Sequence, residues 1–194
     1  LPEAFCLAAV DPGVETAFEA ALASFRAAGA VVCDVTLPSL AYAGPVLGAT
    51  IMSEAGAALR PLLGARVEEV GVDTRIYLEL TKVVTAGQYL AAQRLRTLLY
   101  EEMRAAFAQV DLLATPTTVI PAPGIDELTV RLDGTTAGTI EALARLTGPF
   151  NLTGIPALAL PCGLTPEGLP LGLQLAGRPF AEADVLAAGH AYQQ

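Results

Sequence analysis

Tryptophan is absent, and histidine, lysine and asparagine occur once each, as His190, Lys82 and Asn151. Only three serines are present, Ser24, Ser39 and Ser53. So short an inventory limits the chemistry. None of the serines sits in a Gly-x-Ser-x-Gly elbow, the sharp strand-to-helix turn that exposes a nucleophile; their settings are Ala23-Ser24-Phe25, Pro38-Ser39-Leu40 and Met52-Ser53-Glu54. A Ser-His-acid triad would have to recruit His190 from a terminal helix, where a partly exposed surface residue is the simpler reading. A catalytic zinc needs about three protein ligands. One histidine and three dispersed cysteines in apolar stretches do not supply them, so no metal is expected. Walker and Gly-x-Gly-x-x-Gly phosphate loops are missing too, and no cofactor is called for. Glu68-Glu69 and Asp111 read as solvated carboxylates. Taken by itself, the chain holds no complete hydrolytic mechanism.

Positive charge is also scarce. Eleven Lys and Arg stand against 20 Asp and Glu, for a net charge of −9, and the arginines are scattered. A nucleic-acid groove needs a basic patch to displace phosphate counterions, so direct nucleic-acid binding is not expected. Although 53% of the residues are hydrophobic, no uninterrupted apolar run reaches the roughly 20 residues of a membrane span. The stretch 155–164 is broken by Pro156, Pro161 and Gly163. The expectation is a soluble chain without membrane contact. Cys6, Cys33 and Cys162 are odd in number and read as reduced, buried small hydrophobes of a cytoplasmic protein. Asn151-Leu152-Thr153 is then not expected to be glycosylated. The opening Leu1-Pro2-Glu3-Ala4-Phe5 has neither an initiator Met nor a signal-like core, and reads as a chain entered part-way.

Helix and strand signals alternate. Asp11-Pro12 opens a helix as cap and first residue; Val14, Phe18, Leu22 and Phe25 share one face, and Gly29 closes it. Ala30 to Val35 reads as a short β-branched strand ended by Pro38. Residues 42–62 form a weaker helical region, and Tyr77 to Ala108 the longest helical pattern, with Gly87 as a possible kink. Val110 to Ala114 reads as a buried strand before the loop Thr115-Pro116-Thr117-Thr118, and 119–136 as loop. Thr139 is placed to cap a short helix through Leu146. Ala157 to Pro161 and Leu171 to Ala176 read as strands joined by a turn holding Pro166, Gly168 and Pro170. A last helix starts near Glu182. Intermixed helices and strands without repeats give an α/β class, and 1–194 reads as one portion of a single domain. The strands are apolar nearly throughout, as strands covered on both faces are, so an uncovered apolar surface is expected wherever this chain's own helices do not reach.

The last third carries a resemblance. Asn151-Leu152-Thr153-Gly154-Ile155-Pro156-Ala157-Leu158, Leu160-Pro161-Cys162-Gly163, Gly168-Leu169-Pro170-Leu171-Gly172-Leu173-Gln174-Leu175 and Gly177-Arg178-Pro179-Phe180 together resemble the closing run of the amidase signature family. Upstream, Asp111-Leu112-Leu113-Ala114-Thr115-Pro116-Thr117 is similar to its strand and T-P-T loop, and Tyr89-Leu90-Ala91-Ala92-Gln93-Arg94 to its long helix. The resemblance implies the C-terminal part of the amidase-signature fold, α/β with a mixed sheet flanked by helices. It implies an amide hydrolase using a Ser–cis-Ser–Lys relay, with those three residues upstream of what corresponds to Leu1. This chain would supply the substrate-pocket side, and its catalytic N-terminal half would be its partner, with a homodimer also possible.

The same resemblance nominates Thr115 and Thr117 in the T-P-T loop, and Thr147, Phe150 and Asn151 before the Gly154 turn, as contacts to a small-molecule amide. Arg75 is a further candidate, as a fork for a substrate carboxylate. For Thr117 and Asn151 a purely structural role stands beside the binding one; the Asn151 amide can also tie neighbouring backbone groups. Two other readings remain. The tRNA-dependent amidotransferase has an A subunit of the same family, and the resemblance implies an acidic residue there shortly before the N-L-x-G turn. Ala144 occupies that position, with Glu141 one turn earlier, which favours a general amidase. The other is a non-catalytic α/β binding module. The amidase reading predicts that the isolated chain turns over no simple aryl amide. Turnover that survives replacement of Ser24, Ser39 and Ser53 together would overturn the mechanism.

Overall fold

The structure, a computed structural model, describes residues 2–194 apart from the side chains of Glu3, Ala4 and Asp73. In chain order the elements are α1 (Glu3–Cys6), α2 (Pro12–Ala27), a 3₁₀ turn at Pro38–Tyr42, α3 (Ala43–Leu63), a second 3₁₀ stretch at Gly64–Glu69, α4 (Val72–Leu80) and α5 (Ala86–Ala106). β1 (Leu112–Pro116), β2 (Thr129–Leu132), β3 (Thr135–Gly138), α6 (Thr139–Ala144), α7 (Gly148–Thr153), β4 (Ala157–Leu164), β5 (Pro170–Gly177) and α8 (Glu182–Tyr192) follow.

The Asp11 carboxylate accepts from the amides of Gly13 at 2.8 Å and Val14 at 3.3 Å, satisfying donors that a helix start leaves orphaned. Val14, Phe18, Ala21 and Leu22 are then buried along one face of α2, and Gly29 leaves it with φ +93°. Three expectations need correction. Ala30 to Val35 forms no strand, and Val31 is 91% exposed; β propensity is expressed only against a neighbouring strand. The long helical pattern divides, because Thr85 and Gln88 make a capping box that starts α5 anew. Gly87 therefore lies in a first turn, not at a kink. The 119–136 stretch contains β2, which turns into β3 through Asp133 and Gly134, both at positive φ, the Asp-Gly signature of a tight hairpin.

The main sheet has the order β1-β5-β4 and is antiparallel at both junctions, as is the β2-β3 hairpin. The α/β class holds, while the mixed pairing implied by the resemblance is replaced, among the described residues, by antiparallel pairing. The short connection from β4 to β5 permits only that. Alternation of side chains along each strand divides two cores. Leu160, Leu173 and Leu175 face Phe18 and Leu22 of α2 and Val185 of α8. Leu113 and Ala176 face the opposite way, toward Leu99 and Met103 of α5, Val46 of α3 and Phe150 of α7.

Cover on this second face is incomplete. Ala157, Ala159 and Pro161 alternate along β4 and are exposed, while their intervening neighbours are wholly or partly buried. β4 is, with β1, an outer strand of this sheet among the described residues, and a bulge interrupts its pairing between Pro161 and Gly163.

Of the three cysteines expected to be buried, Cys33 is exposed and Cys162 half-buried, while Cys6 is buried at 1% exposure in the first core. Burial, the dominant cause, pushes its thiol up to about 12 from an ordinary 9.0. A group that is neutral when folded holds its proton more tightly than in the unfolded chain. Its contribution to stability is therefore complete below pH 9 and is lost as pH rises toward 12. Urea denaturation at pH 9, 10 and 11 should show stability falling with pH, and Cys6→Ala should flatten that fall. An identical slope in the variant would show that Cys6 is not the titrating group.

Candidate functional site

The β1-β5 register sets Thr115 opposite Gln174, on the face turned to the second core. Thr115 is 2% and Gln174 4% exposed. A buried amide must find partners, and both protons of the Gln174 Nε2 do so. One goes to the Thr115 hydroxyl at 3.0 Å, the other to the Leu146 carbonyl at 3.1 Å. Thr115 in turn donates to the Pro116 carbonyl at 2.8 Å. One side chain thus joins the T-P-T loop to the junction before α7.

Beyond β1, the Thr117 amide donates to the Gly172 carbonyl at 2.7 Å. The Thr117 hydroxyl is shielded from solvent and has no hydrogen-bond partner among the described residues. It occupies the space that a side chain at 172 would fill, since a Cβ there would lie 2.6 Å from Thr117 Oγ1 and 2.9 Å from its Cβ.

Thr147 precedes α7, and its hydroxyl donates to the Ala144 carbonyl at 3.4 Å. Phe150 is only 6% exposed and packs in the second core. With Thr115, Leu146, Phe5, Leu37 and Met103 it borders a void of about 10 Å³, room for one water at most. Asn151 is exposed. Its side-chain amide makes no hydrogen bond among the described residues, so the expected tie to neighbouring backbone is not formed, although its backbone N–H donates to the Thr147 carbonyl at 3.2 Å. The turn is closed instead by Gly154 at φ +68°, whose amide donates to the Phe150 carbonyl at 2.8 Å, a left-handed helix end suited to glycine.

Arg75 lies apart from this group. It pairs with Glu68 in a surface groove lined by Val72, Ile76 and Leu80 of α4. That groove shares no lining residue with the Thr115–Phe150 void.

Two arginines escaped the sequence reading. Arg96 on α5 donates to the Leu152 carbonyl of α7 and, at 3.2 Å, to Gln93. The Arg145 guanidinium donates to the carbonyls of Phe5, Ala8 and Ala9 and lies 5.8 Å from the Phe5 ring. Its partial burial lowers its pKa, and it fastens the first residues beside the α6–α7 junction. Neither stands in a recognisable motif; only spatial neighbours reveal them.

The serines are all engaged in hydrogen bonds. Ser24 and Ser53 donate back to carbonyls one turn earlier, at 3.1 and 2.8 Å. Ser39 is held by both oxygens of Glu102. Lys82 pairs with Glu79 at the surface, and His190 contacts Gln194 at 2.7 Å. The arrangement can wall a ligand and orient it; none of these serines is hydrogen-bonded to Lys82 or His190.

A sequence profile described as Amidase matches residues 2–186. The chain belongs to the amidase family. It is 37% identical over 195 residues to an amidase of Pseudomonas putida, with all of this chain and 42% of that protein covered. Against the A subunit of the glutamyl-tRNA(Gln) amidotransferase from Chloroflexus aurantiacus it is 36% identical over 217 residues, covering all of this chain and 43% of that protein. A crystal structure of an amidase superimposes with a TM-score of 0.90 at 32% identity, over 99% of this chain and 44% of that one. The chain therefore spans about two-fifths of the length of these amidase-family relatives, and the α/β fold is theirs.

Gly172→Ala should be costly, because Thr117 is β-branched and its backbone is hydrogen-bonded to residue 172 itself, so it has little room to yield. Overpacking of this kind costs about 1–3 kcal/mol. Thermal unfolding of Gly172→Ala beside Gly172→Ala/Thr117→Ala tests it: the second change removes the hydroxyl that would lie 2.6 Å from the new Cβ and should recover part of the loss. No recovery would mean that the Thr117 hydroxyl is not the obstacle.

Proposed function

We propose that the protein containing this chain is an amidase of the Ser–cis-Ser–Lys type, and that this chain furnishes the substrate-pocket side while the nucleophile lies in polypeptide outside it. The observation that carries the reading is the family match over residues 2–186, joined to the two-fifths share of its relatives that the chain spans. In such a relay a neutral lysine accepts a proton through the second serine. The first serine attacks the amide carbonyl, and water later releases the acyl-enzyme. Backbone N–H donors hold the oxyanion.

In this reading Thr115 and Thr117 stand at the sheet end of the pocket, and Thr147, Phe150 and Asn151 on the α7 side. Thr117 Oγ1 carries the best case for a polar contact, since its hydroxyl has no other partner among the described residues. Arg75 becomes a carboxylate fork only if the substrate reaches the α4 groove and displaces Glu68. The void bordered by Phe150 is too small for a substrate, which supports a pocket completed by the remaining polypeptide.

The amidotransferase reading comes second, supported by 36% identity. Against it stand Ala144 and the alignment itself. The 217 positions include residues of the amidotransferase protein that this 194-residue chain does not have, whereas the Pseudomonas putida amidase aligns over 195.

The test is hydrolysis of a panel of aryl and aliphatic amides by the full-length protein, with glutamine included. Turnover of simple amides without partner proteins is expected. Glutamine hydrolysis alone, dependent on further proteins, would move the assignment to the second reading. Within the same panel, Arg75→Ala should raise KM for acidic amides about tenfold or more, as loss of a charge-assisted hydrogen bond does, and spare neutral ones. Equal effects on both would remove Arg75 from the site.

A further inference from the structure

Helix α7 has six residues, too few to be stable on intrinsic propensity. Yet it carries Phe150 and Asn151, which the proposed function sets on one side of the substrate pocket. Its position is set from outside, at both ends. On the upstream side, Gln174 spends one amide proton on the Leu146 carbonyl at 3.1 Å and the other on Thr115. On the downstream side, the Arg96 guanidinium donates to the Leu152 carbonyl, where the unpaired carbonyls of a helix end gather partial negative charge. Arg96 is itself steadied: its Nη1 donates to Gln93 at 3.2 Å, and Gln93 donates to the Thr50 hydroxyl of α3 at 3.2 Å. Between the two anchors Gly148 abuts Leu47, so closely that a Cβ there would lie 2.8 Å from the leucine methyl. The helix is pinned by sheet, α5 and α3 at once.

We infer that Gln174 and Arg96 are positioning residues that fix α7 and thereby set which acyl groups the amidase accepts. Gln174 spends both amide protons on Thr115 and Leu146, and Arg96 reaches the helix through a backbone carbonyl. Both act through the placement of α7. The inference rests on the amidase reading of the preceding subsection.

The experiment uses the full-length protein and two amides that share a leaving group, one with a short and one with a bulky acyl chain. The ratio of their kcat/KM values, measured in one preparation, is independent of how much of the protein is folded. Gln174→Met and Arg96→Met should each change that ratio about tenfold, the scale on which a pocket wall discriminates hydrophobic groups, with the change carried mainly by KM for the bulky amide. Arg96→Lys keeps a donor for the Leu152 carbonyl and should hold the ratio within about threefold of wild type. If Gln174→Met does not accumulate as folded protein, the half-buried Arg96 pair of variants decides alone. An unchanged ratio with a lowered Tm would assign both residues a purely structural role, overturning the inference while the amidase reading stands. A wild-type protein that hydrolyses neither amide would overturn both.

Discussion

β5 has a hydrogen-bonded neighbour on each side and a hydrophobic cluster on each face, and a glutamine stands in the middle of it. A primary amide in so dry a place is tolerated only when its protons are taken. Thr115 across the ladder and the Leu146 carbonyl above it are therefore required in place. Satisfying Gln174 fixes the separation of two segments, the T-P-T loop and the α6–α7 junction, that no local sequence rule would bring together. Most of the residues nominated for the site hang from one or the other.

The division of labour between the two faces follows. The face toward α2 and α8 is closed by large aliphatic side chains and serves stability. The opposite face grades from a packed region under α5 and α7 to a bare stretch of small residues on β4. Its polar groups, Thr115, Thr117 and Gln174, lie along that gradient. In the proposed function this surface is one wall of a site completed by polypeptide outside the chain; the amidase-family relatives are more than twice as long.

Much of the fold was legible. Asp11-Pro12 and Gly29 bracket α2 as capping chemistry requires, and the strands β1, β4 and β5 and helix α8 fall close to where apolar runs and turn residues put them. The failures are physical in origin. Ala30 to Val35 has strand composition but no strand beside it. Thr85 and Gln88 announced a helix start that a continuous periodic pattern concealed, and Asp133-Gly134 announced a hairpin within a stretch that looked like loop. For the site, the motif residues Thr115 and Thr117 were readable because they sit in a recognisable string. Gln174 was readable only as part of a strand. Arg96 and Arg145 were not readable at all, since their partners lie 56 and about 140 residues away in sequence. The Asn151 side-chain amide shows the converse, a group suited to tying backbone that the geometry leaves exposed.

Pro161 and the bulge beside it have a consequence for how the chain behaves among its own kind. An outermost strand normally offers its free N–H and C=O groups as a template on which another chain can grow. Along β4, Pro161 removes one donor, and the irregularity before Gly163 breaks the even spacing that an incoming strand would need. The apolar side chains on the bare face are alanine and proline, small contributors to sticky area. Copies of this chain, even at high concentration, are thus poorly suited to fibrous self-association through that edge.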